Sequence, residues 1–255
     1  MANKKVDTAT DETALVAFQQ KYPALVNDVG AILRESLGAN ARLSLSDLPT
    51  VKVPAGGALN WELPTGESTK TLEGVLVSYQ ETRAFWNAEF SGGGSPPDCS
   101  SEDAVGGIGL FGKGSEANHT GECDGCPMAK WGSGKDNGQG CRLITRLFLL
   151  QEGSLVPTLV LLPPTGYKAA RSYVRDRALL PPHRMTAVLT KIGLTKAQSD
   201  GGIAYSTVLF DPKPEALPGD VAMHMLTYRL QMEPILRGAS PRAEALDVEH
   251  QREVE

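Results

Sequence analysis

Apolar positions near the start of the chain recur at helical spacing: Leu15, Phe18, Leu25, Val26, Val29, Ile32, Leu33 and Leu37. The period predicts one or two helices over 12–37, divided near Pro23, which lacks the N–H a helix interior needs, and stopped at Gly38. From 43 to 70 that period is lost. Pro49, Pro54, Pro64 and several glycines predict irregular structure with short strands there. From Leu72 to Trp86, valine, threonine and aromatic residues interleave with polar ones, the pattern of one long strand or a bent pair. RLITRLFLL (142–150) and LVPTLVLL (155–162), joined by QEGS, predict a hairpin. A helix follows over 165–178, with Thr165 able to cap it and Pro181 and Pro182 beyond its end. Strands over 184–195 and 202–210 and a helix over about 219–237 complete the pattern.

The segment 91–140 differs in kind: glycine and serine dominate and large aliphatic residues are few, so it cannot build an apolar core of its own. The whole reads as mainly β with added helices, an α+β chain. About five strands, with a helix between the third and fourth, suit a small OB-like five-stranded barrel carrying a loop-rich insertion, with an unrelated α+β sheet as the alternative. The expected organisation is an N-terminal helical and irregular extension over 1–70 and a barrel domain over 71–210 with its insertion at about 91–141. A C-terminal helix over 211–238 and an acidic, disordered tail over 239–255 follow.

No apolar run reaches 18 residues, and Met1–Glu12 is polar and lacks the apolar stretch of a secretory signal. The expectation is a cytoplasmic protein in a reducing compartment, with no membrane partner. The net charge of −5 hides an uneven distribution. Residues 1–141 hold 11 lysines and arginines against 18 acids, 142–196 hold 9 against 2, and 197–255 hold 5 against 10. The middle third is basic, and a phosphate-binding surface can sit there despite the acidic total, because binding responds to the local field within a Debye length of roughly 8 Å.

The four cysteines, Cys99, Cys123, Cys126 and Cys141, bracket or interrupt the insertion. In a reducing compartment a metal outranks a disulfide, and Cys123-Asp124-Gly125-Cys126 supplies two thiolates from one tight turn, which Gly125 is expected to permit. Cys99 and Cys141 would close the shell. Four thiolates leave no open position, so the expected cofactor is a structural Zn2+ that organises a region short of apolar material. An iron-sulfur cluster also takes four cysteines, His119 could replace Cys99, and a redox pair at Cys123 and Cys126 is a further alternative.

The run CDGCPMAKWGSGKDNGQGCR (123–142), followed by RLFLL, the PPT at 163–165 and GGIAYSTVLF (201–210), resembles phage and prophage single-stranded DNA-binding proteins, OB-fold proteins with a cysteine-rich zinc insertion. The resemblance spans roughly residues 70–210. It implies a protein that coats exposed single strands in replication, recombination or repair, in a bacterial host cytoplasm, with replication or recombination proteins as further partners. The chain departs from one habit of bacterial single-stranded DNA-binding proteins: its acidic end, EALDVEHQREVE, has no terminal aromatic residue.

Single strands are held by cations that follow the phosphates and by rings on which bases stack. Alternation in the strand after Cys141 puts Arg142, Ile144, Arg146 and Phe148 on one face, expected to form a groove wall. Lys168, Arg171 and Arg175 form a basic stripe on the helix after it, and Lys191 adds a cation on a later strand. Trp131, flanked by Lys130 and Lys135 in the polar insertion, is the stacking candidate; Arg83 and Trp86 extend the set from the first long strand.

Catalysis needs an acid, base or nucleophile set in a pocket, and the four histidines show no triad or metal-hydrolase spacing. GLFGKGSEANHTG (109–121) lacks the GKS or GKT ending of a phosphate loop. The chain therefore reads as a binding protein and not an enzyme. A zinc-stabilised protein-protein interaction module without nucleic-acid affinity is the alternative, and a zinc-dependent nuclease or deaminase ranks third.

Overall fold

The stretch of interleaved valines and aromatics forms one uninterrupted strand, and the remaining elements are arranged around it. The computed structural model describes residues 8–25, 27–37, 45–87, 97–118, 120–135, 138–199 and 202–237. The N-terminal elements are α1 (Thr8–Lys21), α2 (Val29–Leu37), β1 (Thr50–Lys52), β2 (Trp61–Glu62), β3 (Ser68–Thr69) and the long β4 (Thr71–Phe85). Then come β5 (Cys99–Ser101), β6 (Ile108–Gly109), β7 (Arg142–Leu150), β8 (Thr158–Leu162) and α3 (Pro164–Leu179). The chain continues through β9 (Val188–Gln198), β10 (Ala204–Phe210), β11 (Glu215–Ala216) and α4 (Gly219–Arg237). The fold is mixed α+β and mostly sheet.

One nine-stranded sheet runs β1-β8-β7-β4-β5-β6, with β9 joined to β4 and carrying β10 and β11. β4 is its axis: it pairs antiparallel with β9 through Thr71–Gly74, with β7 from Val75 onward and with β5 through Arg83–Phe85. A register shift between Leu76 and Ser78 marks a bulge, the device by which a strand bends and a sheet curls. The expected strand over 184–195 starts later, at Val188, because a 3-10 turn over Met185–Ala187 first tucks Thr186 and Ala187 inside.

Two apolar cores lie on the two faces of this sheet. One gathers Val75, Ile144, Phe148 and Leu150 under Tyr22 and Val29 of the N-terminal region and Val221, Met225, Tyr228 and Met232 of α4. The other gathers Leu72, Leu76, Leu147 and Leu149 under Ala170 and Tyr173 of α3, and reaches Trp61, Ile192 and Phe210. Trp61 is fully buried and its indole N–H donates to the Ile192 carbonyl at 3.0 Å. Within residues 1–70, Tyr22, Leu48, Val51 and Trp61 are buried in these cores. The tail over 239–255 lies outside the described residues.

Helices on both faces alter the reading of β7. The alternation of its side chains is as expected, but every one of its nine residues is buried, Arg146 and Phe148 to within 1% and Arg142 to 8%. β7 lies between β4 and β8, so neither face nor edge meets solvent, and Arg142, Arg146 and Phe148 do not form an open groove wall. Both arginines have interactions within the fold, as a buried guanidinium requires. Among the described residues no helix is long and apolar enough to cross a membrane.

Candidate functional site

Strand register brings distant cysteines together. Cys99 opens β5 opposite Phe85, and Cys141 directly precedes β7, whose first residue Arg142 pairs with Ala84 on the other edge of β4. Cys123 and Cys126 arrive on a turn closed by the Cys126 N–H donating to the Cys123 carbonyl at 3.2 Å. The Cys123 N–H donates to Val105 O at 2.8 Å and the Cys141 N–H to Met128 O at 2.7 Å, which ties the turn to both flanking segments. All four cysteines are buried free thiols, and they line a single cavity of about 10 Å³ with Arg83, Ser101, Phe111 and Met128 among its other walls. That is room for one water-sized or ion-sized occupant. Phe85 seals the site from below, edge-on to Phe111 with ring centres 5.1 Å apart.

Burial pushes the Cys141 thiol up to about 12 and raises Cys99 and Cys123 as well, since an isolated thiolate is poorly solvated there. Arg83 acts the other way on Cys123 and Cys141, and a hydrogen bond with Ser101 does so on Cys123. As placed, no three histidine, cysteine or acidic side chains among the described residues are set to hold an ion, so the thiols share a cavity without forming a finished shell. The donor chemistry does fit a metal: no carboxylate or imidazole is among the walls, and four sulfurs form a soft set that suits zinc or iron. Arg83 fits it too, because its Nε and Nη1 are buried without a hydrogen-bond partner beside these sulfurs. His119 lies outside the described residues.

The glycine that this loop needs is not the expected one. Gly125, inside the cysteine turn, has no left-handed φ and a Cβ there would meet nothing within 4 Å. Gly121 has φ +70°, and a Cβ would lie 2.4 Å from Lys113 Cα. Gly121→Ala is expected to lower stability by about 1–3 kcal/mol through backbone strain and displacement, and Gly125→Ala to change it by less than about 0.5 kcal/mol. Chemical denaturation of the two variants checks this; equal effects would contradict the loop geometry.

The residues proposed to meet nucleic acid separate into groups. Trp131 is 75% exposed and Lys130 and Lys135 beside it are exposed. Their loop is braced: the Ser133 hydroxyl lies 2.6 Å from the Lys130 carbonyl and accepts from the Gly140 N–H at 3.0 Å, and Trp131 bridges to Gln139. Lys168, Arg171 and Arg175 are exposed on α3, opposite its buried Gly166, Ala170 and Tyr173. Two of the three are engaged, Arg171 with Glu81 at 3.3 Å and Arg175 with Asp176 at 3.2 Å, and Lys191 pairs with Glu73 at 3.1 Å. Trp86 packs half-buried against the α4-side core, and Arg83 turns inward to the cysteine cavity.

Two features have no counterpart in the sequence reading. A groove of about 630 Å³ opens along Ser78–Glu81 and holds Glu81, Glu102, Asp103 and Glu233 against the single cation Arg229. The insertion also exposes Val105, Ile108 and Leu110. Neither was visible beforehand, because both depend on β4 register and on loop folding that no hydropathy period encodes. Comparison with family models, with curated proteins and with solved structures finds no match in any of the three.

Proposed function

We propose that this protein binds single-stranded DNA, using an OB-type barrel of β4, β7, β8, β9 and β10 and a zinc-stabilised insertion that presents Trp131. The observation that carries the reading is Trp131, three-quarters exposed between two exposed lysines on a braced loop. An exposed indole on a braced loop offers a flat face to solvent, and every base has a face that can stack on it. Support for the barrel comes from α3, which joins β8 to β9, the third to the fourth of those five strands. Cys99, Cys123, Cys126 and Cys141 would hold the zinc, whose role is structural since four thiolates leave no position for substrate. This is the chemistry of the phage and prophage proteins that the cysteine-rich run resembles, and the reading carries with it replication or recombination proteins as partners, a cytoplasmic setting and a binding role in place of catalysis.

Fluorescence anisotropy of a labelled oligo-dT against the zinc-loaded protein tests it. Affinity is expected to fall steeply between about 50 and 200 mM salt as counterions are released. Trp131→Ala is expected to weaken binding roughly five- to hundredfold, one lost stack of about 1–3 kcal/mol. Absence of binding at low salt sinks the proposal. It would favour a zinc-stabilised protein-interaction module, a reading that the exposed Val105, Ile108 and Leu110 support.

A further inference from the structure

We infer that Arg83 is the positioning residue of the cysteine centre, donating from its buried Nε and Nη1 to the metal-bound sulfurs and balancing part of their charge. The inference rests on the reading that the four cysteines hold a metal. Arg83 lies in β4 two residues before Phe85, opposite Ser101 of β5 and Leu143 of β7, so its side chain rises on the face that the cysteine turn covers. It is a wall of the same small cavity as all four thiols. Two of its nitrogens are shut away from solvent with no hydrogen-bond partner, an arrangement that is unfavourable for a guanidinium unless a counter-charge completes it.

The nearby carboxylates are otherwise employed. Asp103 accepts from the Val105 and Gly106 N–H groups at 2.8 and 3.0 Å and from the Ser101 hydroxyl at 3.0 Å. Glu81, two residues before Arg83, accepts from the Tyr79 hydroxyl at 2.5 Å and pairs with Arg171 at 3.3 Å. No carboxylate is among the cavity walls, so the groups there that can carry negative charge are the four cysteine sulfurs. A divalent ion in four thiolates leaves a doubly negative centre in an apolar setting, and one fixed cation reduces it to singly negative. Arginine, which stays protonated under all ordinary conditions, is suited to this where lysine is not.

The test is cobalt substitution of the full-length protein, followed by chelator competition. Wild type is expected to show sulfur-to-cobalt charge-transfer bands of a tetrahedral thiolate site; their absence would refute the metal reading itself, separately from the role of Arg83. Arg83→Met keeps the apolar stem and removes charge and donors. It is expected to retain the tetrahedral bands at saturating cobalt, shifted in energy, with metal affinity reduced about 10- to 100-fold. Arg83→Lys is expected to fall between the two. Bands and affinity unchanged in Arg83→Met overturn the inference, as does a loss of thermal stability with wild-type affinity and spectrum. If Arg83→Met does not fold, Arg83→Lys decides: a shifted band with weakened affinity upholds the role, and wild-type values for both overturn it.

Discussion

Paired replacement of Cys123 and Cys126 by serine is expected to be among the most damaging changes this chain can suffer, acting on stability and not on chemistry. The segment they anchor has little apolar material: its core is Phe85, Cys99 and Cys141, with Phe111 and Met128 packed against them. Structural zinc contributes about 10–16 kcal/mol in small zinc-dependent folds. A third of that, at about 2–4 °C per kcal/mol for a chain of this size, lowers the thermal midpoint by roughly 10 °C. Damage should concentrate between β5 and β7, so limited proteolysis of the variant is expected to cut between 99 and 141 while the rest of the sheet survives. Treating wild type with a strong chelator should reproduce the pattern. A double variant that keeps its metal stoichiometry and its midpoint would contradict the proposed centre.

Phe148→Ala is expected to cost about 3–5 kcal/mol, the range for a large aromatic removed from a filled core. Phe148 is fully buried, opposite Ser78 of β4 and Leu159 of β8, in the core shared with α4. Its loss leaves a void that the surrounding strands cannot close without breaking register. The folded fraction should still bind oligo-dT with wild-type affinity, the reverse of Trp131→Ala, which should keep its stability and lose affinity. Urea denaturation and anisotropy on the same two proteins separate packing from contact. Weakened binding by folded Phe148→Ala would restore that ring to the binding surface.

These contrasts show where the sequence was legible. β4, the β7–β8 hairpin, α3, β10 and α4 emerged from hydrophobic period, because each buries a face whose spacing is written locally. The two-sided burial of β7 was not legible. Arg142 and Arg146 look like an outward row when read at period two, and only the strand order, with β4 and β8 on either side, makes the polar-looking face internal. Arg83 repeats the lesson: its place on the first long strand was legible, but what covers its side chain depends on a loop that joins cysteines up to 42 positions apart in number. Gly125 and Gly121 make the same point in the backbone, since being within the cysteine pair mattered less than the close approach to Lys113. Composition correctly marked the insertion as poor in core residues, but the acidic groove needed β4, its neighbouring loop and α4 to be brought together.

The three tryptophans occupy three different surroundings: Trp61 is fully enclosed, Trp86 is half-covered by the α4-side core and Trp131 is three-quarters exposed. The molecule thus contains its own set of optical probes. A dissolved collisional quencher such as iodide or acrylamide would reach Trp131 first, Trp86 partially and Trp61 only when its core opens. Steady-state emission from unlabelled protein can then follow three events independently: occupation of the insertion loop, loosening of the junction at the end of β4, and global unfolding.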